Sequence, residues 1–504
     1  MIAENPILRG FNPDPSICRK GDDYYLVTSS FEFFPSIPVY YSKDLVNWRQ
    51  IGSAGDDPEL FGLSHCRSSK GVYASTIRYN PSDDLFYIVT TIVHNDDYCM
   101  NESFFITASD PAGPWSCKHA VKDAEGIDPS IFFENGRVYY VGNRRISPEI
   151  KGKRHIWIAE LDIESGALSG KKDILSDGAL YNALCPEGPH IYKKDGYYYL
   201  LIAEGGSGEN HAVTVFRSQD IFGPYEGNPR NPVLTHRMLS RHSEFLCIGH
   251  ADIIEAPDGS WAAFALGVRA YGEAGIRNLG RETFITPVIW EDGWPVFSPD
   301  TGKIEKRYDL PWKSEDPCCR YRSYNGFPLG ALFLRAPHGR IPEYRDGVYR
   351  LPLLPQSISS DEFCSFVGFR QKEKRYSIET EMEFSTASQY ESAGLAVYMT
   401  GNAYFLFMRT ASGLCISSPS GIIEHKHSEL PDRISLRIEC LGLDYVCSYK
   451  MDGCWIQFGP VLSGRMLSGS LCYTGAVMAL YATSSGTESR GYAYFRELTL
   501  SSGN

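Results

Sequence analysis

A turn followed by an aromatic strand recurs through the first three hundred residues of the chain. The turns begin at Gly21, Asp83, Asn135, Asp195 and Asp258. Three of them are Asn-Gly or Asp-Gly between apolar runs, which is a strong signal for a β-hairpin. A second turn pattern follows each copy, so every repeat supplies two hairpins and therefore a four-stranded sheet. Five such repeats predict an all-β fold that begins with a five-bladed β-propeller.

Counting back eight residues from Asp22, Asp83, Gly136, Asp195 and Asp258 in these turns reaches a polar residue in every repeat. These positions hold Asp14, Ser75, Asp128, Glu187 and His250. The first strand of a propeller blade usually lines the central channel, so an equal offset predicts that these side chains meet at one end of it. The alternative is that they are turn residues at the entries of strands. Three carboxylates and a histidine in matching positions favour a functional site.

Carboxylates that crowd together repel each other, so one stays ionised while another stays protonated. An acid and a base that face each other are the machinery for cleaving a glycosidic bond. Arg281 follows the fifth inner strand and is interpreted as holding a sugar or the ionised carboxylate, or else as a surface ion pair. The glycine-rich segment 203–208 has no helix after it and is interpreted as a loop at the channel rim.

Several longer motifs extend over the whole predicted propeller. They are Asn12-Pro13-Asp14-Pro15-Ser16, Thr28-Ser29-Ser30-Phe31-Glu32-Phe33-Phe34-Pro35, Ile127-Asp128-Pro129-Ser130, Pro186-Glu187-Gly188-Pro189-His190, Ala203-Glu204-Gly205-Gly206, Gly249-His250-Ala251-Asp252 and Leu279-Gly280-Arg281-Glu282-Thr283. Together these motifs resemble glycoside hydrolase family 43, in its two-domain β-xylosidase branch.

This resemblance implies a five-bladed propeller and an inverting exo-glycosidase. It implies that Asp14 is the general base that activates water and that Glu187 is the general acid that protonates the leaving oxygen. Asp128 would tune the acid and orient the substrate.

The resemblance also implies a set of substrate-binding residues. Arg281 would bind the terminal sugar, and Phe31 would form part of the pocket wall. His250 would lie at the channel floor, where in some relatives this histidine helps to hold a divalent cation, usually Ca²⁺, largely through water. The family commonly has Trp-Ala-Pro where this chain has Tyr73-Ala74-Ser75. Tyr73 still offers a stacking face, so we expect altered substrate preference and an unchanged mechanism.

The repeat ends after the propeller, and a second pattern of strands begins. We predict a propeller over residues 1–312, a linker over 313–324 and a β-sandwich over 325–504. The sandwich resembles the C-terminal domain of the same branch, which lends a loop that closes the pocket. Tyr473, in Cys472-Tyr473-Thr474-Gly475-Ala476, is the candidate contributor, with a core aromatic as the alternative.

Charge restricts the partners. The net charge of −12 and the pI near 5.5 disfavour nucleic acids and anionic membranes, since both require a basic surface. A xylo-oligosaccharide or an oligosaccharide from arabinoxylan fits better. No apolar run approaches the length of a membrane span, and no signal peptide is recognised. We therefore expect a cytoplasmic protein, and secretion from a processed precursor is the alternative. The chain could also form a homo-oligomer, either a dimer or a tetramer.

The leading hypothesis is an exo-acting enzyme that releases xylose from the non-reducing ends of β-1,4-xylo-oligosaccharides. It requires no cofactor, although Ca²⁺ or another divalent cation in the channel is left open. The alternatives are an α-L-arabinofuranosidase on the same scaffold and a non-catalytic sugar-binding propeller.

Overall fold

The computed structural model describes residues 1–95, 101–146, 149–150, 152–180, 184–240, 242–272, 275–313, 319–427, 430–468 and 473–503 of the 504. Its regular structure over these residues is β-strand, apart from two single 3₁₀ turns at Tyr324–Gly326 and Gly464–Met466. The predicted all-β fold class is therefore confirmed. Over the same residues, no helix has the length and hydropathy that crossing a membrane requires.

Five antiparallel sheets follow one another along the first part of the chain, and we call them sheets 1 to 5. Sheet 1 contains Ser16–Lys20, Asp23–Val27, Ser36–Ser42 and Arg49–Gly55. Sheet 2 contains Gly71–Val72, Thr76–Asn80, Leu85–Val93, Glu102–Ala108 and His119–Ala120. Sheet 3 contains Ser130–Glu134, Arg137–Arg145, Arg154–Leu161 and Leu168–Ser176. Sheet 4 contains Glu187–Lys194, Tyr197–Glu204, Ala212–Ser218, Glu226–Gly227 and Leu234–Thr235. Sheet 5 contains Phe245–Glu255, Trp261–Arg269, Glu282–Glu291 and Trp294–Phe297.

The predicted hairpins are confirmed in all five sheets. The turn between the first two strands of sheet 3 is Asn135-Gly136, with φ of 51° and 75°, and sheet 4 repeats this at Asp195-Gly196, with 50° and 81°. Successive positive φ values match the twist of the flanking strands, which is why Asn-Gly and Asp-Gly mark these turns in the sequence.

We call five strands the first strands of sheets 1 to 5: Ser16–Lys20, Thr76–Asn80, Ser130–Glu134, Glu187–Lys194 and Phe245–Glu255. Each contacts the next in this order, and Phe245–Glu255 contacts Ser16–Lys20. We call this arrangement the sheet ring. A short pairing of Ile2–Glu4 with Arg307–Asp309 joins its two ends. Each first strand begins near the same end of the ring, so residues that immediately precede these strands come together there.

The second part of the chain forms two packed sheets, which confirms the predicted β-sandwich. One sheet contains Glu343–Arg345, Val348–Pro352, Arg375–Glu383, Arg433–Leu441, Asp444–Met451, Cys454–Gln457, Leu462–Ser463 and Tyr492–Ser502. The other contains Phe366–Arg370, Ser392–Thr400, Ala403–Thr410, Gly413–Ser418, Gly421–His427 and Val477–Thr483. Burial alternates along Arg375–Glu383 and Arg433–Leu441, as expected for strands with one face on a core.

The sandwich packs directly on the sheet ring. Phe33–Phe34 pairs with Phe333–Leu334, and the backbone N–H of Ala476 donates to the carbonyl of Asn278 at 2.7 Å. Of the predicted linker, residues 314–318 lie outside the described residues, as does Cys472 of the predicted pocket loop.

Candidate active site

A pocket of about 100 Å³ opens at the end of the sheet ring where the first strands begin. All eight site residues predicted from the sequence line it: Asp14, Phe31, Tyr73, Asp128, Glu187, His250, Arg281 and Tyr473. Ser75, the one polar position of the repeat that does not line the pocket, is buried, and its hydroxyl donates to Thr90 Oγ1 at 2.9 Å. Its neighbours Tyr73 and Ala74 take its place in the pocket wall.

Asp14 is a buried carboxylate with strong donors on both oxygens. Arg281 donates from Nη1 to Oδ1 at 2.7 Å and from Nη2 to Oδ2 at 3.3 Å, and Ser29 Oγ donates to Oδ2 at 2.6 Å. Burial acts to raise the pKa of Asp14, but the charge of Arg281, supported by His250 and the Ser29 hydrogen bond, outweighs it and holds the pKa below its usual value. Asp14 is therefore ionised at neutral pH.

Asp128 has the opposite electrostatic environment. Burial raises its pKa well above the usual value, and the nearby charges of Glu187 and Asp14 raise it further, although Arg154 and Arg281 counteract part of the effect. A carboxyl group in this position is protonated when its neighbours are ionised. The site therefore pairs an ionised acid with a protonated one, as the sequence predicted for crowded carboxylates.

Glu187 begins the first strand of sheet 4, where the strand pairing is irregular between Glu187 and His190. Arg154 Nη1 donates to Glu187 Oε2 at 2.8 Å, and both side chains are largely buried. Gly188 follows with φ of 55°, and a Cβ at this position would lie 2.8 Å from the His250 ring. Only glycine allows the backbone to turn Glu187 toward the pocket while His250 stays beside it.

Three aromatic rings form one wall of the pocket. Phe31 lies 5.1 Å from Tyr73 and 5.8 Å from Tyr473, measured between ring centroids, and the Phe31 and Tyr473 rings are stacked. The Arg281 guanidinium lies 5.5 Å from the centroids of both Phe31 and Tyr473, and its Nη2 donates to the carbonyl of Tyr473 at 3.3 Å. The sandwich therefore contributes Tyr473 to the pocket, whose wall matches the stacking surfaces that sugar rings favour.

His250 lies within the first strand of sheet 5, and its Nδ1 is 4.0 Å from Asp14 Oδ1. In the part of the chain that the structure describes, no group of three or more His, Cys, Asp or Glu side chains could hold a metal ion. Arg281 already neutralises the carboxylate beside His250, so these residues do not form a direct metal-binding set. A cation held largely through water stays a prediction.

Among the further residues that line the pocket, Arg154 and His211 bear on its chemistry, and neither was predicted from the sequence. Arg154 reaches Glu187 from the neighbouring sheet, and no motif marks it. His211 is buried, and its Nδ1 lies 3.0 Å from the carbonyl of Cys247, so that nitrogen carries the proton. Its Nε2 is buried without a hydrogen-bond partner, and burial lowers the pKa of His211 to about 3. A neutral hydrogen-bond acceptor at the pocket suits a sugar hydroxyl. The one sequence feature that could have indicated His211 is its position just after the glycine-rich rim loop.

Comparison with known proteins agrees with this geometry. Residues 3–295 match the family model of glycosyl hydrolases family 43, and residues 326–501 match that of the beta xylosidase C-terminal concanavalin A-like domain. The two matches cover the sheet ring and the sandwich, respectively.

Similar proteins carry names of two specificities. A xylosidase/arabinosidase of Butyrivibrio fibrisolvens is 40% identical over 79% of this chain and 78% of its own. A non-reducing end alpha-L-arabinofuranosidase of Bacteroides ovatus is 34% identical over 97% of this chain and 93% of its own. The crystal structure of a xylan beta-1,4-xylosidase from Bacillus halodurans C-125 superimposes with a TM-score of 0.89 at 29% identity, covering 98% of this chain and 99% of that one. The chain therefore belongs to glycosyl hydrolases family 43 and is a glycoside hydrolase.

Proposed function

We propose that this glycoside hydrolase is an exo-acting, inverting β-1,4-xylosidase that removes xylose from the non-reducing ends of xylo-oligosaccharides. The observation that carries the proposal is the confined pocket, which combines an ionised carboxylate, Asp14, with a second carboxylate, Glu187, and an aromatic wall. A pocket of about 100 Å³ suits one terminal sugar better than an internal segment of a chain.

In the proposed mechanism, Asp14 removes a proton from a water molecule that attacks the anomeric carbon. Glu187 gives its proton to the glycosidic oxygen as the bond breaks, and the configuration at that carbon inverts. An inverting pair needs carboxyl groups about 6.5 to 9.5 Å apart so that the water fits between them. Asp128 orients the sugar and tunes Glu187. Burial and the repulsion between these two neighbouring carboxyl groups raise the pKa of Asp128, so the two groups hold a proton between them that Glu187 can give to the leaving oxygen.

Arabinofuranosidase activity on the same scaffold is the second candidate. The Bacteroides ovatus relative, which aligns with nearly the whole chain, is named for that activity. Matched aryl β-D-xylopyranoside and aryl α-L-arabinofuranoside substrates separate the two. We expect a larger kcat/KM for the xyloside, and a much larger value for the arabinofuranoside would overturn the assignment.

The role of Glu187 can be tested through the leaving group. Glu187→Gln removes the proton donor, so we expect hydrolysis of xylobiose to fall by about 10³-fold. A dinitrophenyl xyloside, whose leaving group needs little protonation, should lose much less. Equal losses on both substrates would exclude Glu187 as the acid, and unchanged sugar release would favour a non-catalytic sugar-binding role for the site.

We further propose that sheets 1 to 5 are the blades of a five-bladed propeller over residues 1–312, joined by a linker over 313–324 to a sandwich over 325–504. We also propose a homo-oligomer, a dimer or tetramer, and a divalent cation held near His250 through water. Sedimentation analysis tests the oligomer. Loss of activity on chelation and its recovery with Ca²⁺ would support the cation, and unchanged activity would refute it.

A further inference from the structure

A second cavity, about 810 Å³, lies between the sheet ring and the sandwich, away from the catalytic pocket. We call it the interdomain groove. Its charged lining residues are all cationic: Arg9, Arg49, Arg370 and Lys372. No described carboxylate lines the groove, although the chain as a whole carries a net charge of −12. A local excess of cations in an acidic protein points to an anionic occupant.

Arg370 is the central observation. Its side chain is only 5% exposed, and its Nε donates to the carbonyl of Phe11 at 2.5 Å. Its Nη2 is buried and has no hydrogen-bond partner. Burial lowers the pKa of Arg370, and no carboxylate among the described residues offsets this effect. A buried guanidinium without a counter-charge is costly, and the Arg370 side chain lines the groove, so the groove offers a place for an anion.

Lys372 adds positive charge next to Arg370. Desolvation lowers the pKa of Lys372, and the charge of Arg370 lowers it further, which shows that the two cations repel each other. Arg9 pairs with Glu373, whose Oε1 lies 2.5 Å from Arg9 Nη1, so the charge of Arg9 is neutralised. Arg49 is exposed and lies over the ring of Tyr321, with the guanidinium carbon 5.7 Å from the ring centroid.

Apart from Asn12 and Gln50, the remainder of the lining is apolar and aromatic. It includes the partly buried rings of Trp48 and Tyr344 and the side chains of Leu498 and Leu500. Inorganic anions gain nothing from such a surface, whereas an organic anion with a carbon ring covers it. A planar guanidinium fork also matches the geometry of a carboxylate.

We propose that the interdomain groove binds an organic carboxylate the size of a sugar acid, with its carboxylate on Arg370 and its ring on the apolar lining. The choice of a sugar acid rests on the proposed action on plant-type oligosaccharides; the carboxylate rests on the groove alone. Because residues of both the sheet ring and the sandwich border the groove, the bound acid stabilises their packing and raises the unfolding temperature of the whole chain.

The test is calorimetric titration of the full-length protein with three probes: glucuronate, xylose at a concentration that fills the catalytic pocket, and inorganic phosphate. We expect glucuronate to bind with xylose already present and to raise the unfolding temperature.

Arg370→Gln should weaken this binding at least tenfold. Arg370 is buried, so the double variant Arg49→Ala and Lys372→Ala, which changes exposed side chains, provides a second measurement with an expected loss of about threefold to tenfold. Arg345→Ala, an exposed cation 92% accessible in its side chain and outside the groove, is the matched control and should bind normally.

Three results would overturn the proposal. They are no glucuronate binding, binding that the groove variants leave unchanged, and phosphate binding as tight as that of glucuronate. A change in the sedimenting mass of the double variant without any anion binding would show that the groove is a contact between copies of the chain. Hydrolysis of an aryl xyloside by the same preparations separates the two proposals, because active enzyme that binds no glucuronate contradicts only the groove.

Discussion

Asp14 and Asp128 occur in identical Asp-Pro-Ser-Ile segments, and both adopt the left-handed conformation with φ of 54°. Their backbones therefore follow the same local path at the entries of two different sheets. Their pKa values nevertheless shift in opposite directions, because Arg281 binds Asp14 directly while Asp128 faces Glu187 and Asp14. The neighbouring side chains, which come from distant parts of the chain, give the two copies different chemistry.

Replacing Arg281 should move the acid limb of the pH profile. The base must be ionised, so the low pKa of Asp14 places that limb of kcat/KM below the usual range of an aspartate. In Arg281→Gln, burial still raises the pKa of Asp14, but the charge that lowers it is gone. The acid limb should therefore shift upward by about one pH unit or more. We also expect kcat/KM at neutral pH to fall by about 10²-fold. The check is kcat/KM for an aryl xyloside between pH 3 and 8, with the exposed Arg137→Gln as control. An unmoved limb would show that Asp14 is not the titrating base.

Individual site residues were predicted well wherever a motif carried them. The eight predicted residues line one pocket, whereas their catalytic and binding roles stay predictions. Arg154 was missed because its contact with Glu187 joins two sheets across 33 residues, and no local pattern encodes such a pairing. His211 was missed for a similar reason. Its Nε2 is notable because it is buried without a hydrogen-bond partner, and no local sequence pattern shows that.

The segment around Ser69, which precedes the second sheet, holds two aromatic residues of the pocket wall without lining the pocket itself. Ser69 receives a hydrogen bond from the Tyr73 hydroxyl at its carbonyl, 3.1 Å, and from the Tyr473 N–H at its hydroxyl, 3.2 Å. The N–H of Ser69 itself donates to Glu32 Oε2 at 2.9 Å. Glu32 is fully buried, and this burial raises its pKa to about 7. The segment before the second sheet is therefore held by a carboxyl group that titrates near neutral pH.

Glu32 should make stability depend on pH. Its pKa in the folded state, about 7, lies above the ordinary value of 4.5, so the folded chain binds more protons between these values and unfolding becomes easier as pH rises through this window. The difference corresponds to a loss on the order of 3 kcal/mol by pH 8. Glu32→Gln removes this contribution and should flatten the dependence of the unfolding free energy on pH, measured by denaturant titration at pH 5 and 8. The exposed Glu59→Gln should behave as the unchanged chain, and an unaltered slope in Glu32→Gln would refute the assignment.

Elements were predictable where turn chemistry marked them. The Asn-Gly and Asp-Gly hairpins follow from backbone preference alone. Two-residue strands such as Gly71–Val72 and Phe33–Phe34 are too short to show a periodicity. The partner of Phe33–Phe34, Phe333–Leu334, also lies far away in the chain.

At the scale of the molecule, the sandwich completes the catalytic pocket. Tyr473 stacks on Phe31, and its backbone carbonyl accepts from Arg281, so the second part of the chain reaches the residue that holds Asp14. The repeat in the sequence predicted the sheets, but the packing of sandwich on ring depends on contacts between non-local surfaces. Only the resemblance to a family suggested that contact from the sequence.

Removing the Tyr473 ring should affect substrate binding more than chemistry. Tyr473→Ala opens one wall of the pocket, so we expect KM for xylobiose to rise about tenfold while kcat changes less than threefold. Tyr473→Phe keeps the stacking ring and serves as the matched variant, with KM close to that of the unchanged chain. A fall in kcat with constant KM would instead indicate that Tyr473 acts mainly by positioning Arg281 and Asp14.

The most direct test of the proposed mechanism is the configuration of the first product. Proton NMR during hydrolysis of an aryl β-D-xylopyranoside follows the anomeric signal before mutarotation equilibrates it. With Asp14 as the base and Glu187 as the acid, water attacks from the face opposite the leaving group, so α-xylose should appear first. Initial release of β-xylose would mean a retained configuration and would contradict the assignment of Asp14 as the base.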